Sequence, residues 1–272
     1  MKLSVSWMGR FFYYLLPVRK QIVLDNIDRV FKNTILQKEK THLAKAFYSH
    51  AATTLKEILS MRRIRVAQID ALIELHGVEH LRNAQSKGRG VLLLSGHTGN
   101  WEFFSLIGLL NVAPPTEPFY VIRRPIHNKR LEKMLFERMS SCGIELINSH
   151  GALTKINQVL KNNGKIVFVM DQHADTKNKL GIPVDFFDIK AGTYSSLAYF
   201  AQKYNAPVIP LSSHRTPNGK HVFEFHPEVI WEPHSDKKQA IYNNTLRYNQ
   251  VLEQFVMEHP EQWWWVHRRW KL

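Results

Sequence analysis

Short apolar runs alternate with helical patterns along the second half of the chain, and this alternation constrains the fold most strongly. The run "VLLLS" at 91–95 is unbroken, which is typical of a strand covered on both faces. Further strands are predicted at 119–125, 165–172 and 206–214, and the alternating pattern at 221–229 indicates an edge or antiparallel strand. The order of elements predicts an α/β fold, a three-layer αβα arrangement with a mainly parallel central sheet and a mixed edge.

Helical patterns fill most of the remaining chain. They are predicted at 128–143, 152–164, 193–205 and 240–260, and they dominate the first 70 residues. The chain has no internal repeat and no Gly/Ser linker. We therefore predict a single domain over 21–272, with a helical part at 21–70 and an α/β core at 71–272, preceded by an N-terminal helix at 1–20.

The N-terminal segment contains the apolar run "FFYYLLPV", which is only eight residues long. A bilayer span needs roughly 20 apolar residues. Trp7 and the aromatic residues of the run lie between the cations Lys2, Arg10, Arg19 and Lys20, a pattern that suits a membrane interface. The alternative is an amphipathic helix packed on the domain. The pattern favours peripheral or shallow membrane attachment.

The charge balance limits the possible partners. The chain has 37 Lys and Arg against 23 Asp and Glu, a net charge of +14, which attracts nucleic acid, anionic lipid or an acidic protein. A nucleic-acid-binding protein stays as an alternative, although no helix-turn-helix, zinc-finger or RNP motif is present. The single cysteine, Cys142, excludes an internal disulfide. No HExxH motif accompanies the 14 histidines, so neither a metal nor a cofactor is expected.

Polar side chains follow three of the predicted strands, where sites of open α/β sheets lie. His97 follows the first strand, Arg123 and Arg124 follow the second, and Asp171 and Gln172 follow the third. These groups comprise a base, two cations and a carboxylate. We expect them to meet at one edge of the sheet.

His97 and Glu102 are a candidate catalytic pair because of their context rather than their spacing. His127 and Glu132 have the same spacing, but they lie at a charged helix start that is typical of a solvated face. His97 instead follows a buried strand and a glycine, with Glu102 in the first turn of the next helix. A carboxylate on one ring nitrogen leaves the other as a base. Because no serine or cysteine stands as an obvious nucleophile, His97 is predicted to activate a substrate hydroxyl without a covalent intermediate.

The stretch "GHTGNWE" at 96–102 resembles the H-x4-[DE] block of the lysophospholipid acyltransferase superfamily, and most of all that of the bacterial lipid A late acyltransferases. Further blocks resemble the same family in the same order. They are "RKQIVLDNIDRVF", "VIRRPIHNKRLEKML", "FVMDQHADTKNKLGIPVDFF", "APVIPL" and "HPEQWWWVHRRWK". The resemblance covers most of the chain.

The resemblance implies transfer of a fatty acyl group from acyl carrier protein to a hydroxyl of a lipid A precursor, at the cytoplasmic face of the inner membrane. It implies His97 as the general base, Glu102 as the residue that orients it, and Arg123 or Arg124 as the cation on the thioester oxyanion or the acceptor phosphate. The rim of the site is expected to include Asn100, Asp171 and Gln172. Lysophospholipid, ornithine lipid or glycolipid acceptors are the alternatives.

The C-terminal stretch "WWWVHRRWKL" mixes tryptophans with cations. Such a mixture suits the headgroup boundary of an anionic membrane. The alternative is a tail whose tryptophans, 263–265, pack in the core.

Overall fold

The computed structural model describes residues 3–110, 118–123, 133, 137, 139–140, 142–177 and 181–271. Its helices are α1 (Trp7–Leu15), α2 (Lys20–Phe31), α3 (Gln37–Ser60), α4 (Ile69–Leu72), α5 (Val78–Gln85), α6 (Ala152–Lys161), α7 (Ser196–Tyr204) and α8 (Lys237–Glu258). Its strands are β1 (Ile73–His76), β2 (Val91–Ser95), β3 (Phe119–Arg123), β4 (Ile144–Asn148), β5 (Lys165–Val169), β6 (Ile182–Phe186), β7 (Ile189–Thr193), β8 (Val208–Arg215) and β9 (His221–Phe225).

Seven strands form one sheet in the order β1-β9-β8-β2-β5-β3-β4, and β6 with β7 forms a separate antiparallel hairpin. The strands β8, β2, β5, β3 and β4 run parallel, whereas β9 pairs antiparallel with β8 and parallel with β1. The predicted α/β fold with a mixed edge is confirmed. The sequence patterns missed β1, β4 and the hairpin, which are strands of four or five residues.

The sheet separates two hydrophobic cores. Leu92 and Leu94 of β2 face one core, and Val91 and Leu93 face the other; all four are fully buried. Burying one such side chain contributes about 1.5–3 kcal/mol, so this unbroken apolar run stabilises both layers at once. The first core also contains residues of α2 and α3, such as Phe47. The N-terminal helices therefore pack on the sheet.

Helix α1 has one packed face and one exposed face. Gly9 and Tyr13 are buried, and the main-chain N–H of Ser6 at the start of α1 donates to Ser49 Oγ of α3 over 3.0 Å. On the other face Trp7 is 77% exposed. Among the residues that the structure describes, no helix has both the length and the apolar character needed to cross a bilayer.

The helical predictions differ from the structure at their ends. Helices α6 and α7 lie within the predicted segments, whereas α8 begins at Lys237, three residues before the predicted segment at 240–260. Helix α7 begins at Ser196 because Thr193, the predicted first residue, ends β7. The predicted helix at 128–143 lies largely outside the described residues, as do His127 and Glu132.

Candidate active site

His97 lies at the carboxyl end of the central strand and contacts a carboxylate from the neighbouring strand. Ser95 of β2 lies opposite Val169 of β5, so His97 and Asp171, two positions further along, are also neighbours. The His97 Nδ1–H donates to Asp171 Oδ1 over 2.8 Å, and the His97 main-chain N–H donates to Asp171 Oδ2 over 2.7 Å. One carboxylate therefore fixes both the ring and the backbone of His97.

The partners of the imidazole define which nitrogen carries the hydrogen. An ionised carboxylate can only accept, so Nδ1 of His97 is the protonated nitrogen. The side-chain amide Nε2 of Gln172 lies 3.1 Å from His97 Nε2 and donates to it. The lone pair of Nε2 is thus available as a base.

Burial and nearby charges have opposite effects on the pKa of His97, and likewise on the pKa of Asp171. For His97, burial is the largest influence and lowers the pKa, but the charge and hydrogen bond of Asp171 and the charge of Glu102 together raise the pKa above its ordinary value. For Asp171, burial raises the pKa, yet the charge and hydrogen bonds of His97 and the charge of His267 keep the pKa well below its ordinary value. The pair therefore combines a carboxylate with an imidazole of increased proton affinity.

Glu102 does not make the hydrogen bond that its spacing from His97 predicted. It lies in the first turn of a 3-10 helix, Trp101–Leu110, and no hydrogen bond or ion pair joins its side chain to His97 in the described part of the chain. Because Asp171 binds the His97 main chain as well as its ring, Nδ1 is turned toward β5. The expected carboxylate is therefore corrected from Glu102 to Asp171. Glu102 lines the same cavity as His97 and acts on it through charge.

Asp171 lies behind the ring of His97 rather than at the rim of the site, where the sequence placed it. It is 1% exposed, and its Oδ2 also accepts from Trp263 Nε1 over 2.8 Å. Gln172, the next residue, does line the cavity that contains His97.

Of the two arginines predicted at the second strand, Arg123 is the last residue of β3 and lines the same cavity as His97. Arg124 lies outside the described residues. One cation of the predicted pair therefore lines the cavity that contains His97.

The loop that contains His97 is held in place by hydrogen bonds with side chains of α3 and β8. His50 Nε2–H donates to the Gly99 carbonyl over 3.0 Å, and Arg215 Nη1 donates to His50 Nδ1 over 2.9 Å. Burial and then the charge of Arg215 lower the pKa of His50 to about 3, so this ring is neutral. Asn100, which was expected at the rim, is buried and donates to Glu57 over 2.8 Å, and Glu57 pairs with Arg215. This network keeps the loop in one conformation.

The same loop requires glycine at position 99. Gly99 has a φ of +58°, a region that costs a residue with a side chain about 1–2 kcal/mol. A Cβ there would lie 2.8 Å from the Ser213 carbonyl oxygen and 2.9 Å from the His214 Cα. Both are backbone atoms of β8, so neither yields easily. We expect Gly99→Ala to lower the Tm by about 4–8 °C in thermal unfolding.

Gly88→Ala is the matched control for this steric argument. Gly88 has a φ of +67°, but no heavy atom lies within 4 Å of a Cβ built there. Gly88→Ala has the same backbone cost as Gly99→Ala but adds no steric contact, so we expect it to lower the Tm by less than half as much. Equal losses of Tm in the two variants would contradict the role of the β8 backbone.

A cavity of about 2430 Å³ lies at this edge of the sheet and contains His97. Small-molecule sites are usually about 300–1,000 Å³, so this cavity suits a larger ligand. Its apolar walls include Ile58, Phe104, Ile156 and Tyr199. Among the described residues, the ionised side chains that line it are Glu102, Arg123, Arg268 and Lys271. Apolar walls with an excess of cations suit an amphipathic anion.

The chemistry available at His97 is proton removal from a ligand. Ser95 Oγ donates to the Leu211 carbonyl over 2.9 Å rather than to His97, and Cys142 is buried. Across the described ranges, no group of three or more His, Cys, Asp or Glu side chains is placed to bind a metal. The arrangement therefore favours base catalysis on a hydroxyl that the ligand supplies.

The C-terminal tail contributes site residues that sequence reasoning did not identify. The Trp264 main-chain N–H donates to the His97 carbonyl over 3.0 Å. The centroid of the His267 ring lies 5.0 Å from the centroid of the His97 ring. Burial is the main cause that lowers the pKa of His267 to about 4. Trp263 and Trp265 are buried, as the core-packing alternative expected. The run of three tryptophans was the available signal, but it did not reveal their partners.

Comparison with known proteins assigns the family. Residues 2–272 match the family model described as bacterial lipid A biosynthesis acyltransferase. The lipid A biosynthesis lauroyltransferase of Escherichia coli (strain K12) is 24% identical over 277 residues, which cover 99% of this chain and 82% of that protein. The lipid A biosynthesis palmitoleoyltransferase of the same strain is 25% identical over 201 residues, covering 73% of this chain and 61% of that relative. A lipid A biosynthesis acyltransferase of Shigella flexneri has the same identity and coverage. Because the family model spans almost the whole chain, the protein belongs to the bacterial lipid A biosynthesis acyltransferase family and is an acyltransferase.

Proposed function

We propose that this acyltransferase moves a fatty acyl chain from acyl carrier protein to a hydroxyl of a lipid A precursor, with Nε2 of His97 as the general base. The observation that carries the proposal is the 2.8 Å hydrogen bond from His97 Nδ1–H to Asp171 Oδ1. This bond selects the tautomer in which Nε2 can take a proton. Membership of the family supports acyl transfer in lipid A biosynthesis, and the cavity that contains His97 has space for a lipid.

The reaction is a direct transfer in this proposal. The acceptor hydroxyl takes the place of the Gln172 amide, which lies 3.1 Å from His97 Nε2. His97 removes the hydroxyl proton as the oxygen attacks the thioester carbonyl carbon, which gives a tetrahedral oxyanion. When the C–S bond breaks, the imidazolium returns the proton to the leaving thiolate. The products are an ester and a free thiol, and no acyl-enzyme forms.

The charged residues around the base have different roles in this mechanism. Asp171 orients the ring and stabilises the imidazolium that forms. Glu102 adds a second negative charge near that imidazolium. Arg123 lines the cavity and, of the two arginines after the second predicted strand, is the described one that can stabilise the thioester oxyanion or bind the acceptor phosphate. Arg124 is the alternative residue for this role, as proposed from the sequence alone.

Charge complementarity supports the proposed donor and membrane partner. Acyl carrier proteins and lipid A precursors are acidic, and this chain has a net charge of +14. Attraction between opposite charges raises the rate of encounter. The same charge favours an anionic membrane surface.

The exposed face of α1 supports peripheral attachment to the cytoplasmic face of the inner membrane. Trp7 and Leu15 are 77% and 66% exposed. Arg10 and Lys20 lie within a few residues of them. Aromatic and aliphatic side chains with cations bind at the interface of an anionic bilayer.

The proposal is tested with the purified full-length chain. Acyl carrier protein thioester and a Kdo-containing lipid A precursor in anionic vesicles are incubated with the enzyme, and the acceptor is analysed by mass spectrometry. We expect a mass increase of one acyl group. Coenzyme A thioester and a lysophospholipid serve as the competing donor and acceptor. Acylation of the lysophospholipid but not of the lipid A precursor would overturn the assigned acceptor.

Glu102→Gln tests the division of roles between the two carboxylates. The Glu102 charge stabilises the imidazolium that forms in the reaction, and each loss of about 1.4 kcal/mol of such stabilisation lowers the rate tenfold, so we expect kcat to fall roughly tenfold or more. Because the Glu102 charge raises the pKa of His97, its removal should lower that pKa. The acid limb of the pH–kcat profile should then move to lower pH.

Glu79→Gln is the matched control, since Glu79 lies in the first turn of α5 and does not line the cavity. We expect wild-type kcat and an unshifted pH profile for it. If Glu102→Gln lost more activity than Asp171→Asn, the orienting role would return to Glu102.

A further inference from the structure

The end of the C-terminal tail is anchored by a buried arginine. Arg269 is fully buried. Its Nη1 donates to the Gly192 carbonyl over 2.5 Å and to the Gln172 carbonyl over 3.2 Å, and its Nη2 donates to Thr193 Oγ1 over 2.8 Å. Next to it, Trp270 Nε1 donates to the Phe186 carbonyl over 3.1 Å. These bonds fix the tail backbone against β7 and the loop after β5.

The residues on either side of this anchor present cations to the catalytic cavity. Arg268 and Lys271 are exposed and line the cavity that contains His97. Neither pairs with a carboxylate within the described part of the chain. Because Arg269 and Trp270 are directed into the protein, their neighbours are held at the cavity wall by a rigid backbone rather than by a loose terminus.

The electrostatic character of this wall is strongly positive. Among the described residues, Glu102 is the single carboxylate that lines the cavity, against the cations Arg123, Arg268 and Lys271. Apolar walls focus the field of such charges. Ser195 and Ser196, at the start of α7, line the same cavity, and this segment directly follows Thr193, which binds Arg269. Free main-chain N–H groups at a helix start add to the attraction for an anion.

We propose that Arg268 and Lys271 bind a phosphoryl group of the substrate while the reacting atoms lie at His97. This inference rests on the proposed function, because a lipid A precursor carries phosphates and the prosthetic arm of an acyl carrier protein contains one. An arginine can bind phosphate oxygens through two parallel hydrogen bonds, and a lysine adds a point charge. The binding energy positions the substrate and is present before the reaction, so it acts on KM rather than on kcat.

The test uses the full-length double variant R268A/K271A and its matched control K237A/K238A. The control removes the same charge at the start of α8, where neither lysine lines the cavity. Acceptor KM is measured with a phosphorylated precursor and with the same precursor after phosphatase treatment. We expect the double variant to raise the KM for the phosphorylated acceptor about tenfold or more, at unchanged kcat. The control should behave as wild type.

A second arm distinguishes the source of the phosphate. If the acceptor KM is unchanged but the KM for the carrier-protein thioester rises, and a thioester of a phosphate-free pantetheine shows no rise, the site binds the phosphate of the donor arm. Equal losses on phosphorylated and phosphate-free substrates, or none on either, would overturn the proposal. Equilibrium binding of the two acceptor forms without donor gives the same comparison independently of turnover. Failure of the proposed function would appear separately, as a wild-type enzyme without acyl transfer.

Discussion

His97→Ala is expected to reduce acyl transfer by at least about 10³-fold, which is near the upper range for loss of a general base. Nε2 of His97 has its lone pair directed to the Gln172 amide inside the cavity. The neighbouring imidazole, His267, is a weaker base, because burial lowers its pKa to about 4. His97→Asn is the more informative variant. Its amide can still donate to Asp171 but has no basic nitrogen, so the fold should be retained while activity is lost. Single-turnover acyl transfer and Tm together separate these effects.

The control for His97 is His76→Ala. His76 is exposed on β1, which is three strands away from β2 in the sheet, and it does not line the cavity that contains His97. We expect wild-type activity from this variant. Substantial acyl transfer by a folded His97→Asn enzyme would rule out the base mechanism.

The position of His97 could be predicted because it depends on local sequence. An unbroken apolar run needs cover on both faces, which makes it an interior strand, and a glycine ends it just before His97. Site groups of parallel sheets collect at the carboxyl ends of the strands. The same argument placed Arg123 and Gln172 at the cavity.

The partner of His97 could not be predicted, because it depends on strand order. Asp171 is 74 residues away in sequence, and it reaches His97 only because β5 pairs with β2 in a particular register. Glu102 was the nearer carboxylate along the chain, but the main-chain hydrogen bond of His97 turns the ring toward β5. The contribution of His267 was missed for a related reason, since nothing local shows where a tail returns to the site.

Asp171→Asn is expected to lower kcat by about 10³- to 10⁴-fold with little change in fold. The asparagine oxygen can still accept from the His97 main-chain N–H and from Trp263 Nε1. Its amide, however, is a donor where the carboxylate accepted from His97 Nδ1. The ring then favours the tautomer with hydrogen on Nε2, which cannot act as a base. The imidazolium also loses its counter-charge in a buried site.

The pH dependence separates this explanation from simple loss of packing. In the wild type the Asp171 charge raises the pKa of His97, so kcat should fall on acidification at a higher pH than for an ordinary imidazole. In Asp171→Asn, burial acts without that opposing charge and lowers the pKa. The acid limb should therefore move to lower pH while the maximum falls, which a kcat profile between about pH 5 and 9 would show.

Asp188→Asn is the matched substitution, since the side chain of Asp188 is 94% exposed. It should leave both the maximum kcat and the acid limb of the pH profile unchanged.

An acid limb that remained at the wild-type pH in Asp171→Asn would mean that the Asp171 charge does not determine the pKa of His97. The fall in kcat would then have to come from the changed geometry of the site alone. Asp171→Glu separates the effect of charge from the effect of geometry, because it restores the charge but displaces the carboxylate oxygens. Recovery of the acid limb without recovery of the maximum would show that both charge and position of this carboxylate are required.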